Sequence, residues 1–526
     1  RTPVAFLIGY LAIALMLKYS EAVRILCYQP VPFDTHQTTL HILTEELARQ
    51  GHQLVVLTAL PRKEPMENIS DIDVHELSYS GWEKGYDEAA KHRNTYAFPD
   101  SLVFWNMVGE IMNPVFDLQL SHPQMQALIK DESQRFDLII VEASAPIGSM
   151  FRARFQTPVL LASSMTASAE AFGLVGAVTN HLFYPDYTAI TLEQNLTFWQ
   201  RLSFLYYLAR NKLTDCEMET AQDAFIKKHF GAEAPPIGEL KKDVGMLFVN
   251  VHQFWDNNRP TPIGTVLYMG GLHLQPPKSL PQDFRAFMDN SQHGVVIMSL
   301  GSKLKSSELP ACTLRVILEV FSELPYDFIW KWDTDEMPNK PKNVRLEKWF
   351  PQIDLLHHPK LRAFITHGGL QSTDEAINAG VPLVGLPVFS DQWLNTHQYE
   401  KFGIGIRLDI DFMDKEDFRN AVLAVVENKK YRENISRLSH IASDQRERAL
   451  QTSSRWAGLL ATRGARHLRS PLADVTFAQF YMLDLMLVGV MCIFVVCFAI
   501  VFAFKRITKF LVVRMGSQSR LPYVIK

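Results

Sequence analysis

The amino-acid sequence predicts an α/β protein with two doubly wound domains in tandem, followed by one membrane-spanning helix. Three observations carry this. Short, wholly apolar segments alternate with helical ones in two separate regions, as expected for strands buried on both faces of a parallel sheet. Pro260, Pro262 and Gly264 mark a break between the regions. Residues 485–504, LMLVGVMCIFVVCFAIVFAF, are twenty residues without a charge, about the length that crosses roughly 30 Å of hydrocarbon.

The first region opens with VRILCYQP at 23–30. A helical segment follows with Leu40, Leu43 and Leu47 on one face, stops at Gly51 and leads into QLVVLTA, which together make a βαβ unit. FDLIIVE at 136–142 and TPVLLAS at 157–163 are further buried strands. Residues 60–130 and 165–245 read as irregular or helical and carry Phe104, Trp105, Phe183, Tyr184, Trp199 and Phe204. These aromatics are expected either to line a pocket or to form ordinary core. Beyond the break, GVVIMSLGS, YDFIWKW, NVRLEKW, RAFITHGG and PLVGLPV restart the βα rhythm. Residues 414–469 are helical and charged, a solvated face. Two such sheets, each open at the carboxyl ends of its strands, are expected to face each other across a ligand-binding cleft.

Both ends of the chain bear on its location. An apolar run at 4–17 behind Arg1, closed by Ser20, Glu21 and Ala22, reads as a signal peptide over 1–22. With no initiator Met, that leader is expected to be trimmed by a residue or more. Lys505, Arg506, Lys509, Arg514, Arg520 and Lys526 follow the apolar span without an acid, so the tail 505–526 is expected in the cytosol. The expected product is a single-pass type I protein of the endoplasmic reticulum membrane with lumenal domains, although the YVIK ending lacks a dilysine signal. Sequons at Asn68, Asn195 and Asn434 are compatible with this and add little weight. Five cysteines, of which Cys492 and Cys497 lie in the span, provide no disulfide framework, and the state of Cys216 and Cys312 stays open. The 53 basic and 56 acidic residues give a net charge of −3, which argues against nucleic acid as a partner.

The most informative stretch is FITHGGLQSTDEAINAGVPLVGLPVFSDQWLNTHQ, 364–398. A buried strand delivers His367, Gly368 and Gly369 to the sheet edge where a helix starts. The helix N-terminus forms an anion site there. The glycines allow close backbone approach, while Ser372 and His367 add donors, a combination that suits a diphosphate. Upstream, WFPQIDLLHHP places Trp349 and Gln352 after a strand. Glu375 lies in the helix, and Asp391 and Gln392 follow the next strand.

This block, 349–392, resembles the signature of the UDP-glycosyltransferase family, the membrane-bound UDP-glucuronosyltransferases and their insect and viral UDP-glucosyltransferase relatives. The similarity runs over nearly the whole chain and is greatest to the insect-type members. The resemblance implies a GT-B fold of two Rossmann-like domains: an acceptor-binding domain at 23–258, a linker at 259–265, a UDP-sugar-binding domain at 266–445, helices and a juxtamembrane segment at 446–484, then the span. It implies that Trp349 lies against the uracil, and that Gln352 and Glu375 sit near the ribose. His367, Gly368, Gly369, Ser372 and Ser302 of SLGS would hold the diphosphate, with Asp391 and Gln392 on the sugar.

In the family a catalytic base follows the first strand, and here the matching residue is His36 of Asp34-Thr35-His36. A helix N-terminus disfavours imidazolium and helps keep the ring able to accept a proton. His41 is expected to be a surface or packing histidine. Where family members carry an Asp that orients the base, this chain has Glu142, whose carboxylate can still hold the second ring nitrogen or simply end its strand. No metal or other cofactor is expected, UDP-sugar being a co-substrate. The Asp pairs 71/73, 333/335 and 409/411 look like turn or strand-edge acids rather than a metal site.

The expected reaction is metal-independent inverting transfer of a hexose to a hydroxyl of a small lipophilic acceptor. Trp393-Leu394 after Asp391-Gln392 is apolar, which points to glucose. Arg259 could reach the cleft and leaves glucuronate as the alternative. A non-catalytic membrane-anchored binder of lipophilic ligands is the rival from another class, and a dinucleotide oxidoreductase lacks its GxGxxG after the first strand. A second copy of the chain stays open as a partner.

Overall fold

The computed structural model describes residues 22–90, 101–180, 182–188, 196–446 and 448–518, without the side chains of 89–90, 101–106, 207, 211, 477 and 516–518. The apolar leader, Asn195, the side chains of Phe104 and Trp105, and Arg520 and Lys526 lie outside the described residues. The chain forms two compact units, Arg1–Ser470 and Pro471–Lys526.

Two wholly parallel sheets build the first unit. Strands β1 (Arg24–Gln29), β2 (Gln53–Thr58), β3 (Ile69–Asp73), β4 (Leu138–Glu142), β5 (Val159–Ser163), β6 (Val244–Val249) and β7 (Val266–Tyr268) lie in the order β3-β2-β1-β4-β5-β6-β7. Strands β8 (Val295–Ser299), β9 (Asp327–Lys331), β10 (Val344–Glu347), β11 (Leu361–Thr366), β12 (Leu383–Gly385) and β13 (Gly405–Arg407) lie in the order β10-β9-β8-β11-β12-β13. Their sequences explain the class: LIIVE, VLLAS and VVIMS are buried at every position, as strands covered on both faces must be.

Each sheet reverses its strand order once, between β1 and β4 and between β8 and β11. At such a switch point the neighbouring connections leave to opposite faces and open a crevice beyond the carboxyl ends of the strands. The helix Asp34–Arg49 starts just after β1, and Glu142 is the last residue of β4. Ser302 follows β8 and His367 follows β11. Topology alone therefore brings the four chain segments singled out from sequence to two crevices.

Strand β7 differs from the expected domain boundary. Leu247 N–H donates to the Thr265 carbonyl at 2.8 Å and Met269 N–H to that of Val249 at 2.7 Å, so residues 266–268 complete the first sheet. The hand-over between sheets falls after Tyr268, because a three-residue VLY strand before Gly270-Gly271 is too short to show periodicity. The charged C-terminal helices are amphipathic rather than wholly solvated. Phe418, Val422 and Val425 are buried from Lys415–Glu427, and Ile435 and Leu438 from Lys429–Arg446. Helix Ala449–Arg463 returns to the first sheet, where Ala457 and Leu460 share a core with Leu40, Leu43 and Leu47.

The second unit contains helix Leu483–Gln518, of which Leu483–Met515 is long and apolar enough to cross a membrane. None of the five cysteines is paired, Cys27 being buried and Cys216 and Cys312 exposed.

Candidate active site

The first crevice holds His36 against Glu142. His36 is in the first turn of its helix with no side-chain cap, and its Nδ1 meets Glu142 Oε1. The Glu142 side chain is fully buried, and its other oxygen has no partner among the described residues. The extra methylene of Glu is thus accommodated: the carboxylate spans from the strand end to the ring. With Nδ1 engaged, Nε2 is the nitrogen free to take a proton. His41, on the same helix, bonds Thr58 Oγ1 at 3.2 Å, and burial first and Arg62 second hold it down to about 4, as suits a packing histidine.

The second crevice gathers the remaining predicted residues. Gly368 has φ +89°, and a Cβ there would stand 2.5 Å from Thr396 Cγ2, so only glycine lets the Gln392–Phe402 helix approach. Gly369 precedes the Leu370–Ala379 helix, which lacks a side-chain cap, and a Cβ on it would meet His367 Nε2 at 2.7 Å. That helix start therefore presents backbone N–H groups to the crevice. His367 packs between Gly301 and Gly369; burial first and the Lys331 ammonium second push it down to about 4, leaving a neutral imidazole. Ser302 is exposed on the turn beside Gly301.

Trp349 is 71% exposed, an unusual state for an indole, with Lys331 Nζ 4.3 Å from its ring centre. Gln352 donates to Ser372 Oγ at 2.9 Å and to Glu375 Oε2 at 2.6 Å. Burial raises Glu375 to about 7 against the opposing Gln352 hydrogen bond. Asp391 is raised to about 6 by burial, while Asn395 at 2.8 Å, His36 across the cleft and the Leu370 N–H favour its ionised form. The Gln392 amide is anchored through its oxygen. Its Oε1 accepts from the N–H groups of Val388 at 2.8 Å and Phe389 at 3.1 Å, which leaves the amide nitrogen for a ligand.

Two expectations require correction. Arg259 does not offer a free cation: it pairs with Asp256 at 2.9 and 3.0 Å and lies 4.0 Å from the Phe172 ring. The insertion aromatics Phe183 and Trp199 are exposed rather than pocket-lining. The rings near His36 are instead Phe33, 5.4 Å away, and Trp82, packed edge-on against Phe33 at 4.8 Å.

Sequence reasoning missed Lys331 and Asn395. Lys331 ends β9, donates to the Gly301 carbonyl at 2.9 Å and is lowered by burial despite Asp34. Its signal was a lysine at the carboxyl end of an otherwise apolar strand. Asn395 donates to the Gly368 carbonyl and to Asp391, and accepts from Trp255 Nε1 at 2.9 Å. It ties the Gly368 turn to the first half of the chain. Among the described residues no three His, Cys, Asp or Glu converge as a metal site. Asp71 pairs with Arg62, Asp333 caps Ser307, and Asp409 accepts from the Asp411 N–H.

Comparison with known proteins agrees with this architecture. The family described as UDP-glucoronosyl and UDP-glucosyl transferase matches residues 29–518. An ecdysteroid UDP-glucosyltransferase of Spodoptera littoralis nuclear polyhedrosis virus is 33% identical over 91% of this chain and 96% of its own. UDP-glucosyltransferase 2 of Dactylopius coccus is 30% identical over 96% of both chains. The solved structure of Os79 from O. sativa, in complex with U2F and trichothecene, superposes with a TM-score of 0.56 at 15% identity over 82% of this chain and all of that one. The fold is GT-B, and the chain is a glycosyltransferase that belongs to the UDP-glycosyltransferase family.

Proposed function

We propose that this enzyme transfers glucose from UDP-glucose to a hydroxyl of a small lipophilic acceptor, with inversion and without a metal. The observation that carries the reading is the His36–Glu142 contact at one switch point, facing Asp391 beside the uncapped helix of the other. His36 Nε2 takes the acceptor proton as the hydroxyl oxygen attacks the anomeric carbon from the face opposite the diphosphate. The bond from that carbon to the diphosphate oxygen breaks, UDP leaves with the electron pair, and an α-linked donor yields a β-glycoside. Glu142 stabilises the imidazolium formed, as a carboxylate does in a triad.

On the donor side Trp349 stacks on uracil, and Glu375, oriented by Gln352, accepts from the ribose hydroxyls. The diphosphate lies at Gly368 and Gly369 with donors from His367, Ser372 and Ser302. The helix N-terminus and Lys331 offset the charge that grows on the leaving group, the work a metal does elsewhere. Asp391 and the Gln392 amide bond the sugar.

Glucose is preferred over glucuronate because Arg259, the cation the sequence offers for a sugar carboxylate, is committed to Asp256. The two relatives named above are both called glucosyltransferases, which supports the same donor. Phe33 and Trp82 beside the base favour a flat, lipophilic acceptor such as a phenol or sterol. The apolar first part of the helix Leu483–Gln518 and the basic Lys505, Arg506, Lys509 and Arg514 in its last part support anchoring in the endoplasmic reticulum membrane with the catalytic unit lumenal.

Membranes carrying the enzyme, incubated with labelled UDP-glucose or UDP-glucuronate and a panel of phenols and steroids, test the donor. Label should move from UDP-glucose. Efficient transfer from UDP-glucuronate with little from UDP-glucose at equal concentration would reverse the choice.

A further inference from the structure

Two side chains, Lys303 on the turn after β8 and Gln371 in the helix Leu370–Ala379, reach the N-terminal end of the helix that carries His36, and neither takes part in the chemistry above. Gln371 donates its amide to the Thr35 carbonyl and to Thr39 Oγ1, the latter at 2.7 Å. Lys303 sets its ammonium 4.2 Å from the centre of the Tyr79 ring and 5.8 Å from that of Phe33. The Tyr79 hydroxyl in turn donates to Asp34. Burial disfavours the Lys303 ammonium, and Asp34 and Glu83 face it as compensating charges. A desolvated cation over aromatic faces is held more firmly than an exposed one. Phe33 caps the helix and lies between Trp82 and His36.

Residues 33–36 are thus gripped from two directions. Each gripping residue is the direct chain neighbour of a serine at the diphosphate crevice: Lys303 follows Ser302, and Gln371 precedes Ser372. Consecutive residues in a helical turn point about 100° apart, so Ser372 faces Gln352 and the donor while Gln371 faces the His36 helix. Ordering either serine on a diphosphate fixes the backbone that carries its neighbour.

We infer that Lys303 and Gln371 form a clasp through which occupation of the diphosphate site positions the turn that bears His36. They are positioning residues, and the clasp rests on the diphosphate assignment made above. Linkage requires the reverse effect too: whatever fixes residues 33–36 tightens the donor site.

Hydrogen exchange of the full chain in detergent, with and without saturating UDP, tests this without any acceptor. In the wild type UDP should slow exchange at 367–379 and also, by about tenfold, at 31–40, which lies on the other sheet. In the variant Lys303→Met with Gln371→Ala, slowing at 367–379 should persist while that at 31–40 is lost. Lys303→Arg should retain it, since a guanidinium makes the same contact with an aromatic face. Wild-type slowing at 367–379 with none at 31–40, or equal slowing at 31–40 in the double variant, would overturn the clasp. No slowing at 367–379 in the wild type would reject the diphosphate site itself and the clasp with it.

Discussion

Gln352 joins Ser372 and Glu375 through a single amide nitrogen, at 2.9 and 2.6 Å, so one side chain sets both a hydroxyl and a carboxylate at the donor crevice. Glu375 is the strained member, because burial lifts it to about 7 from an ordinary 4.5. The folded protein keeps a proton that the unfolded chain releases between those values, so folding loses stability as pH rises from about 4.5 to 7. Glu375→Gln removes that loss and keeps the Gln352 bond. Thermal unfolding should show the variant more stable by about 1–3 kcal/mol at pH 8 and equal to wild type near pH 4. Its UDP affinity should fall, since an amide oxygen accepts ribose hydroxyls less strongly. A variant no more stable at pH 8 would show that Glu375 ionises in the folded protein as readily as in the unfolded chain.

UDP and UDP-glucose distinguish two groups of contacts. His367→Ala should weaken both ligands by roughly 10- to 100-fold, the worth of one hydrogen bond to a charged group. Asp391→Ala should weaken UDP-glucose by a similar factor and UDP much less. Equal losses for both ligands at Asp391, measured by equilibrium dialysis, would move that residue from the sugar to the diphosphate.

Chelation should leave turnover unchanged, since the helix N-terminus, His367 and Lys331 meet the diphosphate charge. Inhibition by EDTA that added Mg²⁺ reverses would contradict this.

Arg259 is structural. Arg259→Leu leaves Asp256 buried with only the Tyr268 hydroxyl and no charged partner, which should lower stability by about 3–5 kcal/mol while the ratio of glucose to glucuronate transfer stays as in the wild type. A stable variant with an altered ratio would place Arg259 at the donor sugar.

Much of this was legible from sequence because switch-point geometry is local. Once a strand is followed by HGG or by DTH, its carboxyl edge and the helix start beside it follow from chain direction, and His367, Gly368 and His36 need no tertiary knowledge. Pairings across the chain were not legible. Arg259 reads as an exposed cation until Asp256 and Phe172 are seen to enclose it. Trp199 reads as pocket or core, although the helix Phe198–Phe230 turns it outward. Lys331 and Asn395 look like ordinary polar residues until burial places one beside Trp349 and the other between Trp255 and Gly368. Glu142 was the reverse case: a departure from the family pattern whose extra length the structure uses to reach His36.

The role of His36 is tested most directly by single-turnover glucosyl transfer with His36→Ala beside UDP binding to the same preparation. Loss of general-base assistance should slow transfer by about 100- to 10,000-fold while UDP binds as in the wild type, with Glu142→Ala falling between the two. Transfer within a factor of about two of wild type, at unchanged UDP affinity, would remove His36 from the reaction, since loss of a general base is worth at least about 100-fold.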